Sequence, residues 1–302
     1  MIIMNKMIEK KPIIATTLYK PDHSTYRRIQ TAIAEGYKIY IFDNLPDEKS
    51  RLLTEEQKIN IRYFTFDKNV GIGPALKLMC ATAYYEENRY LLYFDQDTIY
   101  NKETLKYIFD YINESSENIN IIRKEKILSV TFRGTATNRT KKQFHKISIG
   151  KYDLNIADFT INSGTLFSLE KLKNVGWHDE SYYIDGVDYY ICLSAKAAGF
   201  KVAEIFNTPG LDHNTEQGNK SFKFLFITYR GRKYAIYRIK DYIKSSLKLT
   251  VKSALIDSKK TLKILKMLIV YILTQFLIYI SKEKKSISSD ELSNSFCNRE
   301  EK

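Results

Sequence analysis

The sequence is poor in cysteine, and that scarcity excludes two classes of protein. The 302-residue chain has three cysteines, Cys80, Cys192 and Cys297, which lie far apart and form no CxxC pair. Such spacing builds neither a disulfide framework nor a zinc site. We expect Cys80 and Cys192, which lie in apolar stretches, to be small buried side chains. This usage is consistent with a reducing cytoplasm.

The N-terminus lacks the apolar segment of a secreted protein. The first eleven residues contain three lysines, whereas a secretory signal peptide carries an apolar run of about 7–15 residues. We therefore expect the folded part of the chain to stay in the cytosol.

Excess basic charge is absent outside one segment, although the formal net charge is +13. Residues 220–266 contain fourteen Lys or Arg and two acids, the residues from 267 onward are balanced, and those before 220 therefore carry only +1. Nucleic-acid binding would explain a basic segment, but this one runs directly into an apolar stretch. We expect no nucleic-acid partner. The hydrophobic content of 44% and charged content of 27% are typical of a folded globular protein.

Strands and helices alternate over the first hundred residues. Apolar or alternating runs predict strands at residues 12–18, 37–42, 59–66 and 90–94. Helical segments are predicted between and after them, at 23–35, 75–87 and 102–112. This order predicts an open, mostly parallel α/β sheet flanked by helices, which binds ligands beyond the carboxyl ends of its strands. The less regular second half predicts strands at 127–132, 159–168 and 201–206, a polar loop at 133–146 and a helix at 188–199.

Carboxylates follow two of the predicted strands. Asp95 and Asp97 come directly after residues 90–94, and alternate residues of an extended segment share a face. Paired carboxylates suit Mg²⁺ or Mn²⁺ bound to substrate phosphates. Asp is also common in turns, but the position after a buried strand favours the metal site. Asp43 ends the second strand and predicts either an Asx turn or a carboxylate that binds the base or ribose of a nucleotide.

Three further features carry weaker signals. Asn69 precedes Gly71 and Gly73 in a segment that resembles a phosphate loop only loosely. Four acids surround an aromatic segment at residues 177–188, where burial would raise a carboxylate pKa and suit a general base. Acids that merely stabilise a helix N-terminus would have the same spacing. His213 predicts either a structural side chain or a metal ligand.

Taken in order, these segments resemble the family 2 glycosyltransferases, an inverting family with the GT-A fold, and most closely its bacterial rhamnosyltransferase-like branch. The resemblance extends over roughly residues 13–214 and rests on six motifs in register. They are Leu18-Tyr19-Lys20-Pro21, Phe42-Asp43-Asn44, residues 69–75, Phe94-Asp95-Gln96-Asp97-Thr98, residues 179–188 and His213.

The resemblance implies roles for the matching residues. It places Tyr19, Asp43, Asn69 and Gly71 in the nucleotide pocket. Lys77 stands where the family often has Asn, and would contact phosphate. The resemblance also implies a DxD motif in which Asp95 faces the donor and Asp97 is the preferred direct metal ligand. It further implies that Asp188 is the catalytic base, with Asp185 as the alternative, and that His213 contacts the metal or the diphosphate.

The same resemblance implies the reaction and its partners. A dTDP- or UDP-linked sugar, with rhamnose favoured, would be transferred to a lipid-linked or oligosaccharide acceptor during cell-surface polysaccharide synthesis. Ser194 stands where the family has arginine, which loosens the match on the acceptor side. A nucleotidyltransferase would need a glycine-containing loop after the first strand, and residues 16–22 contain no glycine. An inactive membrane-bound scaffold is the non-enzymatic alternative.

The basic segment predicts a membrane-associating extension. Residues 267–280 are fourteen uncharged residues, fewer than the roughly 20 that a spanning helix needs. Helices that lie on an anionic membrane surface fit this composition, and a cap on the body or a dimer contact is the alternative. We therefore predict a GT-A catalytic domain at 1–219, a basic and apolar helical extension at 220–280 and a disordered polar tail at 281–302. The expected location is peripheral, on the cytoplasmic face of the cell membrane.

Overall fold

The structure is a computed structural model that describes residues 10–45, 60–134, 145–213, 220–224 and 227–283. For residues 213, 220–224, 227–230 and 282–283 it describes the backbone only. Cys297 and most of the predicted polar tail lie outside the described residues. Cys80 and Cys192 are buried, as the sequence predicts.

A nine-stranded sheet forms the centre of the described part of the chain, with the strand order β3-β2-β1-β4-β9-β6-β10-β8-β7. Its strands are β1 (Ile13–Leu18), β2 (Ile39–Asp43), β3 (Ile61–Thr65), β4 (Tyr90–Asp95), β6 (Ile127–Phe132), β7 (Lys146–Ile149), β8 (Tyr152–Ala157), β9 (Thr165–Ser168) and β10 (Lys201–Ile205). Seven of these nine run in one direction, and β8 and β9 run the opposite way. The predicted open, mostly parallel α/β sheet is confirmed.

Helices and short strands complete the described architecture. The helices are α1 (His23–Ala34), α2 (Ile72–Tyr85), α3 (Lys102–Glu117), α4 (Ile119–Glu125), α5 (Leu169–Asn174), α6 (Val187–Ala197), α7 (Ile236–Ala254) and α8 (Ser258–Ile280). The short strands are β5 (Thr98–Ile99), β11 (Asp212–His213), β12 (Lys220–Phe224), β13 (Ile227–Gly231) and β14 (Lys282–Glu283).

The central strands are buried on both faces, which is why they read as continuous apolar runs. All six residues of β1 are buried. Ile14 points into an apolar cluster with α1 and α3. Its neighbours Ile13 and Ala15 point into a second cluster with α2, α5 and α6 on the opposite face. This alternation is the period of a strand, and it places one helical layer on each side of the sheet.

The register of the parallel strands brings the predicted carboxylates to one edge. Leu18 at the end of β1 is paired with Asp43 at the end of β2, and Thr17 is paired with Asp95 at the end of β4. Asp43 and Asp95 therefore flank the carboxyl end of β1. Open α/β sheets bind their ligands at this edge.

Two sequence predictions in the second half need correction. Residues 159–168 were expected to form one strand, but the strand is only Thr165–Ser168, because Gly164 adopts a left-handed backbone with φ of +74°. The polar loop predicted at 133–146 ends in β7, which forms a hairpin with β8. The hairpin turns at Gly150, where φ is +53°. A side chain would be strained there, so this glycine is the turn signal that the prediction lacked.

The C-terminal extension is not helical from its start. Residues 220–224 and 227–231 form the paired antiparallel strands β12 and β13, and helix begins at Ile236. Helices α7 and α8 pack against each other, with Tyr242 and Tyr271 stacked at a centroid distance of 3.8 Å. The 23-residue helix α8 is longer than its uncharged run, and by length and composition alone it is sufficient to cross a membrane.

Candidate active site

Asp95 and Asp97 lie at the carboxyl end of β4, as the sequence predicts. Both side chains are partly buried, and the charge of Asp97 contributes to a raised pKa at Asp95. The side chain of the intervening Gln96 binds the backbone of Tyr19 by two hydrogen bonds. Its Oε1 accepts from the Tyr19 N–H (2.8 Å), and its Nε2 donates to the Tyr19 carbonyl (3.0 Å). The motif is therefore anchored to the end of β1 through its central residue.

A hydrogen-bonded chain supports Asp95 from inside the sheet. The Tyr93 hydroxyl donates to Asp95 Oδ1 (2.8 Å), because an ionised carboxylate only accepts. The Thr17 hydroxyl lies 2.6 Å from the same Tyr93 oxygen and therefore donates to it. On the other side, the Asp95 N–H donates to Ser163 Oγ (2.9 Å). These contacts fix the position of the carboxylate.

Asp188 lies in the first turn of α6, where Gly186 at the N-cap has a left-handed backbone. The pKa of Asp188 is raised to about 7, chiefly by burial and also by the charge of Asp95, whereas a backbone hydrogen bond from Asn162 opposes the shift. Burial also raises the pKa of Asp95, to about 6. The structure thus brings Asp188 close enough to Asp95 for their charges to interact.

Asp185, the alternative base, has a different environment. Burial raises its pKa, and the guanidinium of Arg238 opposes the shift. The two charged groups are 3.6 Å apart. Because Asp185 is held in an ion pair and Asp188 interacts with the charge of Asp95, Asp188 is favoured as the proton acceptor.

Asp43 is fully buried at the end of β2. Its Oδ1 accepts from the Leu45 N–H (3.0 Å), which is an Asx turn, and its Oδ2 accepts from the Tyr63 hydroxyl (2.6 Å). The next residue, Asn44, accepts from the N–H groups of Val70 (3.0 Å) and Gly71 (3.2 Å). Asn44 therefore ties the end of β2 to the start of α2.

The glycines of the loosely predicted phosphate loop serve close backbone packing. A Cβ on Gly71 would lie 2.2 Å from the carbonyl oxygen of Tyr183, and one on Gly73 would lie 2.3 Å from that of Tyr182. Asn69 accepts from the Gly71 N–H (2.9 Å), which holds the turn. The segment thus packs on the loop before Asp188. The nucleotide contacts of Asn69 and Gly71 stay a prediction.

The remaining site residues lie around this edge. Tyr19 is exposed beside Gln96. The ammonium of Lys77 pairs with Glu180 at 2.9 Å, so its predicted phosphate contact would require it to exchange partners. The backbone of His213 in β11 pairs with Thr98 of β5, directly after Asp97. The side chain of His213 lies outside the described part of the structure.

Sequence reasoning missed several residues of the site. Arg133 directly follows β6, and its charge lowers the pKa of Asp188. It also lies 3.9 Å from the buried carboxylate of Glu204. Asn162, Tyr93 and Thr17 were missed as well. An arginine directly after a buried strand was the available signal, whereas the tyrosine and threonine have no polar pattern to mark them.

The donor set fits a hard divalent cation. Among the described residues, no group of three or more His, Cys, Asp or Glu side chains forms a ready-made cluster. Two carboxylates nevertheless suit Mg²⁺ or Mn²⁺, which keeps several waters and takes further ligands from substrate phosphates. A cavity of about 540 Å³ at the opposite edge of the sheet, between α3, α4 and β6, contains none of these carboxylates.

Comparison with known proteins places this geometry in a family. The family described as glycosyl transferase family 2 matches residues 19–176. No curated protein sequence matches the chain. Among solved structures, S. aureus TarS aligns with a TM-score of 0.54 at 12% identity, over 86% of this chain and 43% of TarS.

Two further structures carry ligands. GalNAc-T7, solved with UDP, GalNAc and Mn²⁺, aligns with a TM-score of 0.52 at 11% identity, over 78% of this chain and 47% of that one. S. aureus TarS 1-349 in complex with UDP-GlcNAc aligns with a TM-score of 0.51 at 13% identity, over 86% and 72%. This chain thus spans less than half of GalNAc-T7 and of the longer TarS chain, and at these identities the likeness shows the fold alone.

Proposed function

Because the chain belongs to glycosyl transferase family 2, we propose that it is an inverting, metal-dependent glycosyltransferase. It moves a sugar from a nucleotide-sugar donor to a lipid-linked saccharide acceptor at the cytoplasmic face of the cell membrane. The product would serve cell-surface polysaccharide synthesis.

One observation carries the proposal: at the carboxyl edge of the sheet, Asp95 of the carboxylate pair interacts with Asp188, whose pKa is raised to about 7. Burying several acids together destabilises a fold unless a cation or a proton compensates. At neutral pH, Asp188 is then poised between its two protonation states, which is the condition for a general base.

The chemistry assigns one task to each group. Ionised Asp188 takes the proton of the acceptor hydroxyl, whose oxygen forms a bond to the anomeric carbon as the bond from that carbon to the diphosphate breaks. Attack from the face opposite the leaving group inverts the anomeric configuration. Asp95 and Asp97 would hold Mg²⁺ or Mn²⁺, which neutralises the charge that develops on the departing diphosphate. Tyr93 and Thr17 keep Asp95 in place.

Donor identity is a finer part of the proposal. The motif pattern favours dTDP-rhamnose, with UDP-linked hexoses as the alternative. The ligands in the solved structures, UDP with GalNAc and UDP-GlcNAc, support a UDP-sugar. The exposed Tyr19 beside Gln96 would contact the nucleotide under either choice. The nucleotide contact of Asp43 stays a prediction, because both of its carboxylate oxygens already accept hydrogen bonds within the chain.

An exposed apolar stripe supports the membrane location. Residues of α8 that recur every three or four positions lie in solvent: Leu262, Leu265, Ile269, Ile272, Leu273, Phe276 and Ile280. The opposite stripe, Ile264, Leu268, Gln275 and Ile278, is buried. A helix that is apolar on its exposed face as well as on its buried face needs a second partner to cover the exposed one. The fourteen basic residues at 220–266 favour an anionic lipid surface as that partner.

The direct test is transfer itself. The full chain, with Mn²⁺, vesicles that contain lipid-linked saccharides and a panel of dTDP- and UDP-sugars, should release nucleoside diphosphate with one donor only. NMR of the product should show an inverted anomeric configuration. A retained configuration would contradict the single-displacement chemistry. Failure of every donor to shift the melting temperature in the presence of Mn²⁺ would contradict donor binding itself.

A further inference from the structure

Helix α7 contacts the loop that presents Asp188. We call residues 181–188 the base loop. Its backbone begins at Ser181, whose carbonyl accepts a hydrogen bond from Lys248 Nζ (3.0 Å), and it ends in the first turn of α6. Because α7 lies in the C-terminal extension, this contact joins the extension to the site.

Asp241 binds the middle of the base loop. Its Oδ2 accepts from the N–H groups of both Ile184 and Asp185, each at 3.2 Å. Two amides that converge on one carboxylate oxygen fix the direction of the backbone between them. Asp241 is one of only two acids among the fourteen basic residues of 220–266, so general surface charge does not account for its presence there.

Arg238, one helical turn before Asp241, binds the side chain of the same loop. Its guanidinium lies 3.6 Å from Asp185 Oδ1. Burial raises the pKa of Asp185, the charge of Arg238 opposes this shift, and the charge of Asp241 adds to it. Asp241 therefore holds the backbone of the loop, and Arg238 holds the side chain of Asp185.

The loop fits the helix closely. A Cβ on Gly186, whose φ is +86°, would lie 3.0 Å from Leu249 Cδ1 and 3.2 Å from Ser245 Cβ. Leu249 is buried in the same apolar cluster as Val187. A cavity of about 130 Å³ remains between the helices and the loop, and both Asp185 and Asp188 line it. The position of Asp188 is thus set from the C-terminal side as well as from the sheet.

We propose that Asp241 and Arg238 are positioning residues for the catalytic base, so that the C-terminal helices form part of the transferase as well as its membrane contact. This inference rests on the proposed function, because it concerns the base of that reaction. Neither residue touches substrate in this account. A general base displaced by about 1 Å loses on the order of a hundredfold in rate, so the contacts act on turnover and not on donor affinity.

The test compares Asp241→Ala and Arg238→Gln with Lys124→Gln, a control that removes an exposed charge from α4 at the opposite edge of the sheet. Asp241→Ala should lower kcat about tenfold or more while the donor KM and the Mn²⁺-dependent donor stabilisation stay unchanged. Arg238→Gln should lower kcat less. Asp241→Asn, which keeps one acceptor oxygen, should restore part of the rate. The control should match the wild type.

Hydrogen exchange gives a second readout that does not depend on activity. The amides of residues 182–186 should exchange at least about tenfold faster in Asp241→Ala, with the central strands unchanged, and not in the control. Unchanged exchange and unchanged kcat in Asp241→Ala would overturn the inference. If Asp241→Ala does not fold, Asp241→Asn and Arg238→Gln carry both measurements.

One further variant distinguishes failure of the proposed function from failure of the positioning role. Asp188→Asn, assayed in parallel, should lose transfer. If Asp188→Asn retains full turnover, the base assignment is wrong. If Asp188→Asn is inactive while Asp241→Ala and Arg238→Gln turn over normally, only the positioning role is wrong.

Discussion

The carboxyl edge of the sheet buries charged side chains, whereas the C-terminal helix α8 exposes apolar ones. At the sheet edge, carboxylates are buried or partly buried, and burial raises the pKa of Asp95 and Asp188. On α8, large apolar side chains lie in solvent. Stability alone would select neither arrangement. Under the proposed function, each region is completed by a different partner: a cation with a diphosphate would bind at the edge, and a lipid surface would cover the helix.

The base loop connects these two regions. Its residues bind α7 on one side and support α2 on the other, where the Ile72 N–H donates to the Tyr183 carbonyl (2.6 Å). The loop therefore lies between the donor half of the sheet and the helices that face the proposed membrane. An acceptor held at a membrane would approach Asp188 from that side.

The largest effect is expected at the edge. Asp188→Asn should lower kcat by about a thousandfold or more, because the amide cannot accept the proton. Donor binding should persist, since Asp188 is not a donor ligand in this account. Single-turnover rates and Mn²⁺-dependent melting shifts measure the two quantities separately. Unchanged turnover would remove Asp188 from the mechanism.

The next effect concerns pH. Because the pKa of Asp188 is raised to about 7 and the base must be ionised, kcat/KM should fall as the pH is lowered through about 7 and level off above it. This ratio reports the free enzyme, in which the charge of Asp95 still acts on Asp188. A kcat/KM that is flat between pH 5 and 8 would contradict a titrating base.

A smaller effect is expected on α8. The double substitution Leu273→Ser and Phe276→Ser should weaken binding to anionic vesicles at least about tenfold, because each side chain contributes about 1.5–3 kcal/mol when buried. Tyr85→Ser, which removes an exposed aromatic side chain from α2, is the control. Co-sedimentation measures both. If the double substitution abolishes a dimer in solution and leaves vesicle binding unchanged, the partner of the exposed face of α8 is a second copy of the chain and not the membrane.

The smallest effect is expected at His178, where burial should affect stability and not transfer. His178 is buried, its two ring nitrogens have no hydrogen-bond partner among the described residues, and burial lowers its pKa to about 3. The unfolded chain binds a proton below about pH 6.5 that the folded chain does not, so stability falls as the pH drops below that value.

His178→Phe should remove this loss, about 2 kcal/mol between pH 6.5 and 5. Denaturant unfolding at the two pH values measures it. Transfer at pH 7.5 should stay unchanged, because His178 packs on Phe167, which is paired with Leu91 at the opposite end of β4 from Asp95. A large loss of transfer in His178→Phe would mean that the buried imidazole of His178 is needed for the active site.

The sequence predicted the first half of the fold better than the second. Strands β1 to β4 are local apolar runs with turn residues between them, and parallel strands place Asp43 and Asp95 at one edge without further information. The β7–β8 hairpin and the short β9 depend on left-handed glycines at 150 and 164, which no periodic pattern reveals. The paired strands β12 and β13 lie in a segment whose basic and aromatic composition favoured helix.

The site was predictable where a motif lies on one strand and not where it depends on contacts between distant residues. Asp95 and Asp97 were found because a buried strand precedes them, and Asp188 was assigned through the family resemblance. Asn44, Arg133 and Asp241 act through partners that are distant in sequence: Asn44 is 27 positions from Gly71, and Asp241 is 57 positions from Ile184. Sequence spacing alone does not identify such partners.

The most direct measurement is calorimetric titration of UDP and dTDP into the full chain with Mn²⁺, with a chelator, and into Asp97→Asn with Mn²⁺. The account predicts that one nucleotide binds with Mn²⁺ and binds at least about tenfold more weakly both with the chelator and in Asp97→Asn. Equal affinity under all three conditions would contradict the claim that Asp95 and Asp97 hold a divalent cation for the donor diphosphate.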